Sequence, residues 1–302
     1  MNMSSIVKIK IAEIDSFKNH PFLVNDDNSL KELAESIKEH GLLNPLVVRK
    51  KNNNRYEMIS GHRRKMAMEL LGVQEADTII KDLNDDEAVV YMVDSNMYRE
   101  KILPSEKAFA YKMKMEAIKH QGKKIKTSAT ELPKSTSREI VGKQFGDSSE
   151  IVRRYIRLTY LIPELLELVD NTVKFDKRTF LTMGIKPAVE LSYLNKDEQS
   201  LVYASITYED LTPSHSQTKR IRELSKQKLL NYNTLEKIFL EKKGNQNDQI
   251  SFNKNNIESV LPYDLLKRDK RYIEQYIIKA IVNYNDLLKK QAKNIDIEKL
   301  KI

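Results

Sequence analysis

The chain contains no cysteine. Disulfides, thiolate metal sites and a cysteine nucleophile are therefore excluded, and a reducing, cytosolic home is expected. Long apolar runs are also missing. Met1 to Lys10 lacks the apolar core of a signal peptide, and no later stretch would span a bilayer. The five histidines are scattered without metal-ligand spacing, and no internal repeat is visible. Charge is what the chain has in quantity: 52 Lys+Arg against 43 Asp+Glu give +9 over 302 residues, with 31% charged and 40% hydrophobic. This suits a soluble, helix-rich protein of two or three domains. The positive balance suits a polyanionic partner, without choosing between nucleic acid and a membrane surface.

One stretch organises the rest: Met58-Ile59-Ser60-Gly61-His62-Arg63-Arg64-Lys65, continuing to Gly72. It predicts a strand end, a Ser60-Gly61 turn, and a helix from His62 to Leu71 closed by Gly72. A helix N-terminus leaves backbone N–H groups unpaired and carries partial positive charge, which together attract anions. Arg63 and Arg64 add donors that match phosphate oxygens, although cations at this end oppose the dipole. An ordinary strand-to-helix connection with a solvated basic first turn remains the alternative on local sequence.

Around this stretch, Ile6 to Ile11 alternates apolar and basic residues as a half-buried strand does. Ser29 is expected to cap a helix, with Glu32 completing a capping box and Gly41 ending it. Leu46 to Arg49 and Arg55 to Ile59 predict a hairpin through Asn52-Asn53-Asn54, and Thr78-Ile79-Ile80 a further strand. A helix from about Asp85 to Met92 completes an α+β domain over residues 1–100. Pro104 then suits the first turn of a helix reaching Gly122, with Lys123 to Pro133 as a loop.

A second pattern stands on its own logic. Ser135-Thr136-Ser137 starts a helix to Phe145, Gly146 makes a turn, and Asp147 is expected to cap a second helix with Glu150 as capping-box partner. Gly142 is small where two helices would touch, Val141 and Phe145 face inward, and Val152 and Tyr155 pack back. That is a helix-turn-helix arrangement. It leaves Ser148, Ser149, Arg153, Arg154 and Arg157 outward as candidate DNA-binding residues. A plain helical hairpin with surface arginines is the other reading.

Taken together, Leu33-Ala34-Glu35-Ser36-Ile37 to Gly41-Leu42-Leu43-Asn44-Pro45-Leu46-Val47-Val48, then Ser60-Gly61-His62-Arg63-Arg64, then Asn96 to Glu106, resemble the successive boxes of the ParB family of DNA-partition proteins, in order and spacing, over roughly residues 6 to 210. The resemblance implies a ParB/sulfiredoxin-like α+β N-terminal domain and an all-α helix-turn-helix domain. It further implies a homodimer on double-stranded DNA at a centromere-like site, cytoplasmic and nucleoid-associated, with no membrane partner. It implies CTP and Mg²⁺ as cofactors. Gly61, Arg63 and Arg64 would contact the triphosphate, with Ser60 and His62 on the same turn. Asn44 lies where the family usually has a nucleotide-side Gln, and Asn96 would hold the metal.

Two departures matter. His62 and Ser95 stand where many members have Glu, so binding with slow or no turnover is expected, at most a weak CTPase. Sulfiredoxin activity is excluded by the absence of cysteine. A ParA-type ATPase is a further implied partner, although the first strand already starts by Ile6, leaving little of the family's N-terminal tail.

Leu161 to Val169 and Pro187 to Leu194 predict helices behind the reading head in a domain spanning 101–212, joined by an exposed connector at 171–186 in which Phe175, Phe180 and Leu181 could dock. From Pro213 the composition shifts: one Lys/Arg/Gln-rich helix to about Lys243, then a polar Gly244–Asn256 loop, then a helix from Tyr263 to Lys290. These make a mostly helical C-terminal domain, 213–302. The stripe Ile273, Tyr276, Ile277, Ala280, Ile281 and Tyr284 reads either as a small core or as a dimer face. Two competitors are a transcriptional regulator with no working nucleotide site, and a nuclease or kinase on the same N-terminal fold. For a kinase general base, Glu57 and Glu100 are the candidates near the turn.

Overall fold

The structure is a computed structural model and describes residues 5–24, 27–51, 53–99, 101–125, 136–174, 180–241 and 261–266, with 272–273, 276–284 and 287. The N-terminal region builds a five-stranded mixed sheet in the order β1-β5-β3-β4-β2. Its strands are β1 (Ile6–Lys10), β2 (Ile14–Asp15), β3 (Leu46–Lys50), β4 (Tyr56–Ser60) and β5 (Glu75–Ile80). β3 and β4 form the expected antiparallel hairpin, while β3 runs parallel to β5. Strand alternation assigns neighbouring residues to different cores. Met58 packs with Leu46, Val48 and the buried Leu30, Ala34 and Ile37 of α1 (Asn28–His40). Ile59 instead packs with Ala88, Met92 and Val93 of α3 (Asp85–Asn96). The helix α2 (His62–Leu70) follows β4 and packs on α1. The sheet is thus covered on both faces, which holds the β4–α2 turn between two packed layers.

The cap of α1 differs from expectation. Asp27 is the N-cap, accepting from the Leu30 N–H at 2.9 Å, while the Ser29 hydroxyl donates to Asp27 at 2.9 Å. A carboxylate is the stronger acceptor of a helix amide, so it takes the position and Ser29 becomes its support.

α4 (Pro104–Ile125) packs against α3, against the pair α5 (Ser137–Phe145) and α6 (Ser149–Leu158), and against α7 (Pro163–Lys174). Its Tyr111, fully buried, shares one core with Phe17, Phe22, Ile59, Val141 and Val152. That core therefore includes residues of the sheet region and of the α5–α6 pair.

α7, α8 (Ile185–Leu191), α9 (Lys196–Glu209), α10 (His215–Lys226) and α11 (Tyr232–Phe239) enclose a further core. The sequence reading missed α9, whose start carries an Asn195/Glu198 capping box and whose Val202 and Ile206 are fully buried. The expected single helix after Pro213 is two helices. The chain breaks at Lys228, at φ 57, before Asn231 caps α11. The composition shift at Pro213 does not coincide with a change of core, since Ile221, Leu235 and Ile238 pack with Leu165 and Leu191. In the connector before α8, Phe180 is exposed, Leu181 packs against this core and Met183 is buried; Phe175 lies outside the described residues.

Met1–Lys242 form one compact unit and Lys243–Ile302 a second. In the second unit, α12 (Tyr263–Leu266) and residues 276–284 are helical, with Tyr276, Ile281 and Tyr284 exposed. The polar Gly244–Asn256 stretch and most of the loop after Lys123 lie outside the described residues. Among the described residues, no helix is long and apolar enough to cross a membrane.

Candidate anion site and nucleic-acid interface

Gly61 joins β4 to α2 at φ 111 and ψ 18, in the left-handed region that side chains avoid, and α2 starts with no side-chain cap. A Cβ on Gly61 would lie 2.7 Å from Leu46 Cδ2, so the backbone sits tight against the β3 end. No side chain caps the first amides of α2, which leaves them available as an anion site requires.

The side chains around this turn divide by role. Arg64 donates to the carbonyl oxygen of Asn44 and, at 2.9 Å, to that of Pro45, and burial lowers its pKa. It pins the 44–45 segment through backbone oxygens, while Asn44 itself is exposed. Arg63 donates to Asp27 at 3.3 Å and to the Ser29 hydroxyl. Asn96 is 5% exposed, and its amide nitrogen donates to the Met92 carbonyl at 2.8 Å and to Ser95 Oγ at 3.2 Å.

The structure adds residues that the sequence did not single out. His20 stacks on His62 with ring centroids 3.8 Å apart. Arg99 lies over the Phe22 ring, 5.4 Å from its centroid. Glu106 accepts from the backbone N–H of Leu23 at 2.6 Å and of Leu103 at 2.8 Å, joining the His20 loop to the start of α4. Burial holds His62 down to about 3, with His20, Arg99 and Lys65 adding to the effect. Burial likewise lowers His20 to about 4, against the hydrogen bond from its ring to the Phe22 carbonyl.

This predicts an acid-sensitive fold. Both imidazoles have folded-state pKa values below the unfolded value, so the unfolded state binds more protons as pH falls. Their contribution is present above about pH 6.5 and is lost below it, toward pH 3–4. By pH 5 each neutral ring should have cost about 2 kcal/mol of stability. Urea unfolding at pH 7.5 and 5 should show that loss, and His62→Gln should shrink it by about half. An unchanged pH dependence would contradict the burial of these rings.

A hard divalent cation finds little here. Among the described residues no three acidic or histidine side chains converge as metal ligands. His62 and Ser95 occupy positions where the resemblance expects carboxylates, and the Asn96 amide nitrogen is turned to its own helix. That hydrogen bond leaves Asn96 Oδ1 as the oxygen that would meet a Mg²⁺ held otherwise by phosphates and water, with no carboxylate at 62 or 95 to add to it. Nor does Glu57 offer a general base. It is buried, accepts a hydrogen bond from Arg49 Nε at 2.7 Å and is ion-paired with the same guanidinium at 2.6 Å. Glu100 lies outside the described residues.

The α5–α6 pair is built as the sequence predicts at its centre and differently at its cap. Thr136 and Glu139 form a capping box on α5. Val141 and Val152 are fully buried, and a Cβ on Gly142 would overlap the carbonyl oxygen of Asp147. The cap of α6 is Ser148, which accepts from the Ile151 N–H at 3.2 Å. Asp147 is drawn away to α4, where it accepts from the Tyr111 hydroxyl and forms an ion pair of 2.7 Å with Lys107. Two donors, one of them cationic, outcompete a single backbone amide. Glu150 therefore makes no capping box. It takes two hydrogen bonds of 2.7 Å from Arg153 and one of 3.1 Å from Arg154, and the Arg153 bonds chiefly hold its pKa down to about 2.

Of the five residues expected outward, Ser148 caps α6, Ser149 is half-buried, and Arg153 and Arg154 share Glu150. Arg157 is turned inward to α8. Its guanidinium donates to the Ser192 hydroxyl at 3.1 Å and to the Ser192 carbonyl, and lies 3.9 Å from the Tyr193 ring centroid. Arg138 and Lys119 join Arg153 and Arg157 around a groove of about 430 Å³, a basic surface the sequence did not group. No local pattern links residues on α4, α5 and α6.

Residues 1–97 match the family model described as the ParB N-terminal domain. The chromosome-partitioning protein Spo0J of Thermus thermophilus is 32% identical over 168 residues, covering 56% of this chain and 56% of that protein. The nucleoid occlusion protein of Geobacillus thermodenitrificans is 40% identical over 103 residues, covering 34% and 37%. The chain thus spans about half the length, or less, of these relatives. C-terminally truncated ParB from Caulobacter crescentus, complexed to the centromeric parS site, aligns with TM-score 0.39 and 17% identity over 73% of this chain and 99% of that one. The same protein complexed with CTP-γ-S aligns with TM-score 0.30 and 20% identity over 67% and 99%. With the three sequence boxes in order and the mixed sheet around the Gly61 turn, residues 1–97 match the ParB N-terminal domain, and the chain resembles the ParB family of DNA-partition proteins.

Proposed function

We propose that the chain is a ParB-type partition protein that binds double-stranded DNA at a centromere-like site, as a homodimer, in response to a nucleoside triphosphate. One observation carries this reading: a single helix spans both candidate sites. α4 meets the His20 loop beside the Gly61 turn through Glu106, and meets the α5–α6 pair through Lys107 and Tyr111, both on Asp147. A ligand shifts an equilibrium only through contacts that differ between two states, and a shared helix allows such contacts to be felt at a distance.

In this reading the triphosphate lies on the Ser60-Gly61 turn, on the free amides of α2, with Arg63 beside it. Arg64 acts by holding the Asn44-Pro45 segment. CTP is the nucleotide that the family resemblance favours, and His62 and Ser95 in place of carboxylates favour binding over turnover. α6 presents Arg153 and Arg154 to DNA once Glu150 releases them. The exposed Tyr276–Tyr284 face is the proposed dimer contact, and a ParA-type ATPase a further partner in a cytoplasmic, nucleoid-associated role.

The test is fluorescence anisotropy on DNA from the gene's own neighbourhood, at several salt concentrations, with and without CTP, ATP or GTP. Specific, salt-sensitive binding that CTP alters is expected, and Arg154→Ala should cost about 1–3 kcal/mol if it reads a base. Binding without sequence preference would remove the partition reading. Specific binding that no nucleotide alters would favour the transcriptional regulator.

A further inference from the structure

We propose that Glu150 is a specificity-determining residue: its carboxylate withholds Arg153 and Arg154 from DNA phosphates and yields them at a G·C pair in the major groove. This rests on the DNA reading above and deepens it.

The three residues form one network at the start of α6. Glu150 accepts from Arg153 Nε and Nη2, both at 2.7 Å, and from Arg154 Nε at 3.1 Å. An exposed Glu–Arg pair three or four residues apart on a helix is common and weak. This network differs because α8 and its flank complete it. The third nitrogen of the Arg153 guanidinium, Nη1, donates to the Tyr193 hydroxyl at 3.2 Å. Tyr193 is itself held, with the guanidinium carbons of Arg157 and Arg222 at 3.9 and 3.7 Å from its ring centroid. All three Arg153 nitrogens are thus engaged. Arg154 Nη1 and Nη2, in contrast, make no hydrogen bond among the described residues.

The surroundings are basic even without these two arginines. Lys186 of α8 and Lys219 of α10 are exposed and line the same groove of about 230 Å³ as Glu150, Arg153 and Arg154. The other carboxylate of that groove, Glu190, pairs with Arg222 at 2.9 Å and lies 3.6 Å from His215. General attraction for phosphates is therefore supplied beside α6, and Glu150 is the carboxylate that bears on its arginines.

The chemistry of each DNA acceptor decides what releases them. A phosphate accepts from a guanidinium but repels a carboxylate beside it, so backbone contact leaves Glu150 both unpaired and repelled. Guanine offers O6 and N7 as paired acceptors for an arginine fork, and its cytosine offers an N4–H that a Glu oxygen accepts. Adenine sets a donor beside N7, so it cannot take both bonds of the fork. A G·C pair alone satisfies arginine and carboxylate together. Arg154 gives up one bond to reach it, and Arg153 gives up three.

Fluorescence anisotropy of the full chain tests this on the site found by footprinting, on that site with its G·C pairs changed singly to A·T, and on an unrelated duplex. Glu150→Gln keeps the side-chain shape and removes the charge. It should bind the unrelated duplex about tenfold more tightly, with a salt slope steeper by about one, and gain little on the site. The ratio of the two affinities should thus fall about tenfold, and at least one G·C to A·T change that wild type rejects should be tolerated. Tyr193→Phe, which frees one Arg153 nitrogen, should lower the ratio by about threefold. Equal changes on the site and the unrelated duplex would overturn the proposal and leave the DNA reading intact. So would a loss on the site with no gain on the unrelated duplex, which would make Glu150 a plain base contact. Wild type, shown to be folded by circular dichroism, that protects no site and binds all duplexes alike would remove both.

Discussion

Replacing Gly142 by alanine should destabilise the α5–α6 pair by about 3 kcal/mol and abolish specific DNA binding. The added carbon would overlap the carbonyl oxygen of Asp147, which is backbone and cannot rotate away. Both Gly146 and Asp147 donate their N–H groups to the Gly142 carbonyl, the latter at 2.9 Å, so moving the helix also loosens the turn. Asp147 would then leave Tyr111 and Lys107, and α4 would lose its hold on the pair. Gly146→Ala supplies the comparison. Its φ is 73, but nothing lies within 4 Å of the added carbon, so it should cost only about 1 kcal/mol of backbone strain. Urea unfolding and anisotropy on the same DNA measure both variants. Equal effects at the two glycines would show that close packing at Gly142 is not what sets the pair.

Asp94→Ala should be the most damaging single change outside that turn, at about 3–5 kcal/mol. Lys114 on α4 is 1% exposed, pairs with Asp94 of α3, donates to the Gln144 side chain and lies 4.6 Å from the Phe145 ring centroid. Its ammonium thus ties the sheet-side helix α3 to α5, the first helix of the α5–α6 pair. Burial lowers the Lys114 pKa and Asp94 opposes that shift. Without Asp94 the pKa falls further, so the unfolded chain binds the extra proton over a wider range. Stability of the variant should therefore rise with pH, below the ordinary lysine range, over a wider span than that of wild type. Lys114→Met should be far milder, because it leaves Asp94 partly exposed to water instead of leaving a buried charge. Urea unfolding across this pH range is the measurement. Equal destabilisation by the two variants would show that the buried charge is not the cause. The same Asp94 variant should also lose any effect of nucleotide on DNA affinity.

Most of the N-terminal elements were legible because their signals are local. The alternation of β1, the hairpin of β3 and β4, and the strand-turn-helix at Gly61 each lie within about a dozen residues. The start of α5 at Ser135-Thr136-Ser137 and the packing of Val141 and Val152 were legible for the same reason, whereas the Thr136/Glu139 capping box was not read. Where two candidate caps stood side by side, local reading chose wrongly. Ser29 lost to Asp27, and Asp147 lost to Ser148, because a carboxylate goes to the strongest donors in reach, and those donors came from elsewhere in the case of Asp147. The missed α9 did carry a local signal, its Asn195/Glu198 capping box, whereas the break at Lys228, at φ 57, had none as clear.

Residue types and spacing were therefore sufficient for the ParB-like order of elements, the basic turn at Gly61 and the helix pair around Gly142. They were silent on which groups meet. Glu106 reaches Leu23 across 83 positions of chain, and His20 stacks on His62 although nothing in the intervening sequence marks the two as partners. Arg157 looked solvent-facing on a helical wheel, yet α8 draws it inward through Ser192 and Tyr193. Protonation states, ion pairs and the link from the turn to α5 and α6 all depend on such contacts. Their free energies come from burial and from partners distant in the chain, and neither exists until the sheet and α4 have packed.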